Sequence, residues 1–167
     1  RYYLLIVDKA TRYKWIYFLK TKDDALSQFK LFLHEVQRKY QYSVQNFKTD
    51  GGGEFCSEAF DTYLDDMCIH HQLSPPHTPQ MNGLVERANR TLKDMARTML
   101  QASKLPFYLW PEAMRTAIYM LNRLPSTANL NNESSYYLLN SVNPPKEKLY
   151  ISFYLLNFSD FTSILLS

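Results

Sequence analysis

The chain has 167 residues, with 19 Lys and Arg against 16 Asp and Glu for a formal charge of +3, and 46% of its residues are apolar. That size and balance suit one folded domain, exclude a disordered or collagen-like chain, and are too weakly basic to announce a nucleic-acid partner by their sum. No stretch nears the roughly 20 continuous apolar residues that span a bilayer, and the opening Arg1-Tyr2-Tyr3-Leu4 lacks the layout of a secretory signal, so no membrane partner is expected. Residue 1 is not Met and strand-like sequence begins at once, which reads as a fragment. Cys56 and Cys68 could form one bridge at most, so a reducing, intracellular setting is the expectation.

Residues 2 to 7 (YYLLIV) and 14 to 19 (KWIYFL) are short aromatic and β-branched runs separated by Asp8 to Tyr13, and predict two adjacent antiparallel strands. Thr21 and Asp24 offer a capping-box-like start, with Asp in place of Glu or Gln, to a helix whose apolar stripe is Ala25, Phe29, Phe32, Val36 and Tyr40. Ser43 to Thr49 predicts a strand that ends at Asp50 and runs into Gly51-Gly52-Gly53. A helix over about 57 to 67 would bury Phe60, Leu64 and Met67, with its acids on the other side. After a short strand over Ile69 to Leu73, Pro75, Pro76, Pro79 and Gly83 predict an open loop before a long helix from about 83 to 102. That helix would bury Leu84, Ala88, Leu92, Met95 and Met99.

Pro111 suits the first turn of a further helix carrying Met114, Ala117, Ile118 and Leu121, which Pro125 stops. Residues 126 to 148 predict a polar connector that ends in Pro144-Pro145-Lys146-Glu147-Lys148. Residues 149 to 167 are apolar without a clear period. Charge is segregated along the chain: 54 to 66 carries Glu54, Glu58, Asp61, Asp65 and Asp66 with no Lys or Arg, whereas 86 to 104 carries Arg87, Arg90, Lys93, Arg97 and Lys104.

Two carboxylates stand where chemistry could use them: Asp50 at the carboxyl end of a strand, and Glu86 on the expected first turn of the long helix. A side chain at that end of a strand is exposed at the rim of a sheet, the usual place for a site in α/β proteins. Carboxylates there suit Mg²⁺, a hard cation bound by one or two carboxylates plus substrate phosphates. Glu86, Arg90, Lys93 and Arg97 fall at i, i+4, i+7 and i+11, so an acid heads a basic row of the kind that binds phosphates. The same pattern is also what a solvated helix face with one weak Glu86–Arg90 pair would give. Asp50 tilts the reading toward a site.

The runs RYYLLIVDKATRYKWIYFLK, FKTDGGGEF, HTPQMNGLVERANRTLKDMARTML and WPEAMRTAIYMLNRLP, in that order over about residues 1 to 148, resemble the integrase core of copia-type long-terminal-repeat retrotransposons. The anchor is the second Asp and the Glu of the integrase acidic triad, here Asp50 and Glu86 with 35 residues between them. The resemblance implies an α/β chain with a ribonuclease-H-like mixed sheet flanked by helices. It implies two Mg²⁺ or Mn²⁺ ions that serve to trim element ends and join 3′-hydroxyls to target DNA. It also implies metal ligation by Asp50 and Glu86, a place for Gln80 and Asn82 in a mobile loop beside the site where they would meet DNA, and DNA contact by Arg90 and Lys93 on the helix; Arg87 and Arg97 are read with those two as positioning DNA phosphates. The intact family implies a homo-oligomer on DNA, in the nucleus.

Three departures from the family pattern shape the expectations. The family's first catalytic Asp lies on a strand before the YYLLIV-like one, and nothing here matches it. The expected fold is therefore a partial core over 1 to 125 with the first strand missing, a connector over 126 to 148 and a divergent tail over 149 to 167. Losing that strand would leave backbone groups unpaired on its neighbours, and such a chain should be marginal or aggregation-prone. Asp8 could stand in for the missing ligand, or be a turn residue that ends a strand. Gly51 replaces the family's usual Asn, and the tail lacks the Phe-Gly-containing strand expected there.

Two other signals are set aside. Gly51-Gly52-Gly53-Glu54 is followed by no Gly-Lys-Ser or Gly-Lys-Thr, so it is a turn rather than a nucleotide loop. Cys56, Cys68, His70, His71 and His77 match no usual zinc spacing, and Cys68 is expected on the apolar side of a helix. The sequence thus predicts a piece of an integrase core, inactive by itself for want of a third carboxylate. The alternative is a non-enzymatic DNA-binding or decayed transposon remnant.

Overall fold

Aromatic and β-branched residues make the first pair of strands, β1 (Tyr2–Val7) and β2 (Lys14–Leu19), which form a two-stranded sheet. The hairpin between them is closed by the Asp8 N–H donating to Tyr13 O at 2.9 Å and the Arg12 N–H donating to Asp8 O at 3.0 Å. This computed structural model describes residues 2–49, 55–73 and 79–145, the side chains of 79–82 and 130 excepted. Asp50, Gly51 to Gly53, Glu54, Pro75, Pro76, His77 and the 149 to 167 tail, all singled out in the sequence, therefore lie outside the described residues.

Helix α1 (Ala25–Tyr40) follows a short 3-10 turn and buries Ala25, Phe29, Phe32, Leu33 and Val36. The capping box belongs to that 3-10 turn, with Thr21 as its N-cap, and Asp24 Oδ2 accepts the backbone N–H of Lys20 at 2.9 Å and of Thr21 at 3.0 Å. Those backbone bonds, Thr21's first, hold the Asp24 carboxyl below its ordinary value of 3.8. A depressed carboxyl contributes stability that is present above the unfolded value and lost as pH falls through the folded one. Asp24→Asn should therefore lower the urea midpoint at pH 7, and the gap to the parent chain should close as pH drops below 3.8. A gap that is constant with pH would show that the carboxylate charge plays no part.

Strand β3 (Asn46–Thr49) pairs in parallel with β4 (His70–Leu73), in the register Asn46↔His70 to Thr49↔Leu73. Parallel strands need a crossover, and α2 (Glu58–Asp66) supplies it, started by Ser57, whose side chain accepts the Phe60 N–H. Phe29 and Phe32 from α1, Phe47 from β3 and Phe60 from α2 meet there, with Phe29 against Phe47 at 4.3 Å between ring centroids and Phe47 stacked on Phe60 at 5.9 Å. Met67 and Cys68 depart from expectation. They lie beyond the end of α2, and both are exposed because the chain turns out through Cys68 at a left-handed φ of 54°.

Helix α3 (Pro79–Ala102) starts four residues earlier than its sequence pattern indicates, because Pro79 occupies the first helical position, where its missing N–H costs nothing. Gln80 and Asn82 thus stand on the first turn of a helix and not in a loop, and Glu86 lies two turns in. Beyond a turn at Ser103–Pro106, α4 (Trp110–Arg123) carries Pro111 in its first turn and buries Ala113, Met114, Ala117, Ile118, Met120 and Asn122. The connector after it contains one element that the sequence reading does not separate, α5 (Ser135–Asn140), begun by the Ser134 side chain accepting the Tyr137 N–H.

The described residues form two sheets, β1–β2 and β3–β4, with no ladder joining them. The chain divides into two units, one of residues 1–5 and 17–86 and the other of 6–16 and 87–167. The first holds the phenylalanine cluster and the β3–β4 pair. The second holds the hairpin turn, most of α3, α4 and α5. Its buried residues include Leu92, Ala96, Met99 and Leu100 of α3 and Tyr13 and Trp15 of the hairpin. Among the described residues no helix is long and apolar enough to cross a membrane.

Candidate functional site

The two proposed carboxylates reach their places by different local rules. Asp50 directly follows Thr49, the last residue of β3, but lies outside the described residues. Glu86 is exposed on α3, and among the described residues its carboxylate engages no partner, so both oxygens are available to a hard cation. Carboxylate oxygens such as those of Glu86 are donors of the kind a divalent metal takes. No group of three or more His, Cys, Asp or Glu side chains that could hold a metal ion occurs among the described residues.

Asp8 is otherwise engaged. Its Oδ2 accepts both the Thr11 N–H and the Thr11 hydroxyl, each at 2.7 Å, the side-chain bonding that closes an Asp-initiated turn. A carboxylate bound twice inside its own turn reads as structure, not as a ligand.

From Glu86, α3 continues as the basic row. Arg87, Arg90, Lys93 and Arg97 are all exposed. Arg97 pairs with Asp94 at 3.9 Å, with both side chains well exposed, an interaction worth little in water. Among the described residues Arg87, Arg90 and Lys93 have no ion-pair partner, so most of the row is not neutralised. Lys14, in the hairpin, is a different kind of cation: burial first, and the charge of Arg12 second, push its ammonium below the ordinary value, and its Nζ donates to Arg12 O at 2.8 Å.

One polar group near β3 escaped the sequence reading, where His71 figured only among unmatched zinc spacings. His71 Nε2 lies 3.0 Å from Thr49 Oγ1, and its Nδ1 lies 3.1 Å from Asp61 Oδ1. Nothing in the local sequence marks it, because it depends on the register of β3 against β4.

The fold these elements make is that of retroviral integrase catalytic cores. The chain matches the simian T-cell lymphotropic virus intasome, in its complex with PP2A regulatory subunit B56 gamma, with a TM-score of 0.64 at 22% identity, over 86% of this chain and 49% of that one. It matches the trimeric HTLV-2 integrase catalytic core domain in complex with magnesium with a TM-score of 0.61 at 22% identity, over 83% and 85%. It matches the BIV integrase catalytic core domain with 0.61 at 18% identity, over 90% and 89%.

Residues 1–79 match the integrase core domain family. The chain is 40% identical over 126 residues to the retrovirus-related Pol polyprotein from transposon TNT 1-94 of Nicotiana tabacum, covering 75% of this chain and 10% of the polyprotein. It is 39% identical over 149 residues to that of transposon RE1 of Arabidopsis thaliana, covering 89% and 10%. The chain belongs to the integrase cores of copia-type retrotransposon Pol polyproteins. It spans about a tenth of the length of these curated relatives.

Proposed function

We propose that this integrase core serves DNA integration by holding Mg²⁺ or Mn²⁺ at Asp50 and Glu86 and the DNA backbone along α3. The observation that carries the reading is the exposed, largely unpaired row Arg87, Arg90, Lys93 and Arg97 running on from an unengaged Glu86. Magnesium in the HTLV-2 neighbour supports the choice of cation. Divalent metal bound there would activate a water or 3′-hydroxyl and stabilise the leaving oxygen. The basic row would fix the phosphates, and Gln80 and Asn82, in the first turn of the same helix, would contact DNA. The partners are element ends and target DNA, the working state is a homo-oligomer, and the place of work is the nucleus.

Within these 167 residues the turn-bound Asp8 supplies no third carboxylate, and two carboxylates do not fix two metals in the required geometry. Assayed alone, the chain is therefore expected to retain duplex DNA without joining it. The test is a strand-transfer assay in Mn²⁺ on an end-mimicking duplex, comparing the chain with Glu86→Gln. DNA retention that weakens with salt, and no joined product from either protein, is the expected result. Clear strand transfer that disappears in Glu86→Gln would overturn the claim of inactivity, and salt-independent retention would overturn the phosphate-binding claim.

A further inference from the structure

The basic character of α3 does not stop with the helix. From Arg87 to Tyr108 the chain carries Arg87, Arg90, Lys93, Arg97 and Lys104 against a single acid, Asp94. It then presents Phe107 and Tyr108, which at 77% and 67% exposure are the most open large apolar side chains among the described residues. Among those residues neither ring meets another aromatic ring or a cation.

The turn that carries the two rings grows from the row itself. On the helix surface Arg97 is followed by Leu100 and Gln101, three and four residues on. The chain folds back through Lys104, at a left-handed φ of 52°, with the Lys104 N–H donating to Gln101 O at 3.2 Å and the Leu105 N–H donating to Leu100 O at 3.0 Å. Pro106 then starts a 3-10 turn over Phe107–Leu109, closed by the Leu109 N–H donating to Pro106 O at 3.1 Å. Leu105 and Leu109 are half-buried and line a small groove with Met99, Leu100 and Ala113, so leucines on both sides of the aromatic pair seat the turn. The groove, at about 20 Å³, admits a water and no base, which leaves the ring faces as the available surface.

Exposed aromatic rings beside cations suit a protein partner or a nucleobase, and the extent of the surface separates the two. A stable protein interface covers roughly 800 Å² on each side, whereas two aromatic rings offer about 300–500 Å² even when fully covered. Among the described residues of the second unit, Val142 alone joins them as an exposed large apolar side chain. A nucleobase needs one ring face, and surfaces that bind unpaired strands combine a basic track for the backbone with aromatic rings for the bases. The next acid in the chain, Glu112, is engaged by Arg115 at 3.3 Å and so does little to repel a phosphate.

We propose that Phe107 and Tyr108 form a stacking platform for unpaired nucleobases, the single-stranded tail of a DNA whose phosphates lie along the α3 row. The inference rests on the reading of that row as a phosphate-binding surface and names the form of DNA the chain prefers, a duplex ending in unpaired nucleotides over a blunt one. The row supplies attraction for any backbone. The rings supply faces that only a base freed from its neighbours can cover.

The experiment is fluorescence anisotropy of the full chain with two labelled duplexes of one sequence, one blunt and one ending in a short adenine tail, with melts and sedimentation velocity on the same samples. The parent should bind the tailed duplex more tightly. Phe107→Ala together with Tyr108→Ala should weaken that binding by about 10-fold or more and change the blunt duplex by less than about twofold. The salt slope should stay that of the parent, because stacking releases no counterions. Both positions are exposed, so the melts should match the parent. Phe107→Leu with Tyr108→Leu keeps an apolar surface and should fail like the Ala pair, whereas Phe107→Tyr with Tyr108→Trp keeps the ring faces and should bind within about twofold of the parent.

A parent that binds the two duplexes equally, or an Ala pair that loses both alike, overturns the platform. A Leu pair that holds the tailed duplex like the parent overturns it too, because apolar contact and not stacking then does the binding. An Ala pair that dissociates a self-associated parent and leaves the tail preference unchanged gives the surface to a second copy of the chain instead. Replacing Arg87, Arg90, Lys93 and Arg97 together by Ala is the control that separates the two readings. If that change leaves blunt-duplex affinity intact, the row reading falls and takes this inference with it; if it weakens both duplexes while the Ala pair at Phe107 and Tyr108 binds like the parent, the row stands and the platform alone is lost.

Discussion

Replacing Arg87, Arg90, Lys93 and Arg97 together by Ala should lower duplex affinity on the order of a thousandfold at about 0.1 M salt. The estimate follows from counterion release, because each phosphate contact contributes about 0.9 to the slope of log affinity against log salt, which at that concentration is close to a decade in affinity per contact. The same substitution should flatten the salt slope by about three to four. The fold should be unaffected, because all four side chains are exposed and the one ion pair among them, Arg97 with Asp94, is open to solvent. The buried stripe of α3 lies on other residues, Ala88, Leu92, Ala96, Met99 and Leu100. Filter retention of a random duplex from 50 to 300 mM salt, with melts run beside it, checks both parts. An unchanged salt slope would mean that the row is an ordinary solvated face and that DNA, if bound, is bound elsewhere.

The row was legible in the sequence because helical spacing is a local property: Glu86, Arg90, Lys93 and Arg97, at helix intervals, share a face wherever the helix packs. The first two strands were equally legible, since aromatic and β-branched runs on either side of a turn leave few other folds open. Errors came where one residue type has two uses. Pro79 reads as a loop residue by composition and as a helix starter by position, and the structure takes the second use. Cys68 was assigned to an apolar helix face, but the helix ends at Asp66 and a left-handed turn carries it outward. The six residues of α5 are too few for a period to show, and only the Ser134 cap marked them. The line from Asp61 through His71 to Thr49 could not be read at all. It depends on the register of β3 against β4 and on the placement of α2 over both, and no local spacing encodes either.

Asn122→Ala should cost about 3 kcal/mol, a loss of roughly 9 °C in melting temperature for a domain of this size. Asn122 lies on the last turn of α4 and is 2% exposed, yet it is an amide among apolar neighbours. Its side chain completes the backbone of another element: Oδ1 accepts the Lys14 N–H at 2.9 Å, and Nδ2 donates to the Lys14 carbonyl at 2.8 Å. A neighbouring strand would satisfy both groups of a residue in the same way, so the amide substitutes for one strand partner at the start of β2. Truncation strands one donor and one acceptor in a partly buried place, and each lost partner costs about 1–3 kcal/mol. Asn122→Asp is the sharper control. Its carboxylate still accepts the N–H but has nothing to donate to the carbonyl, and it adds an anion to a nearly dry position, so it should cost at least as much as Ala. Lys14→Ala leaves the two backbone groups and their amide partner in place and should cost far less. Faster amide exchange at Lys14 in Asn122→Ala, with duplex affinity unchanged well below the melting temperature, would separate this stability role from the phosphate-binding role of α3. A melting temperature within about 2 °C of the parent would show that water satisfies Lys14 as well as the amide does.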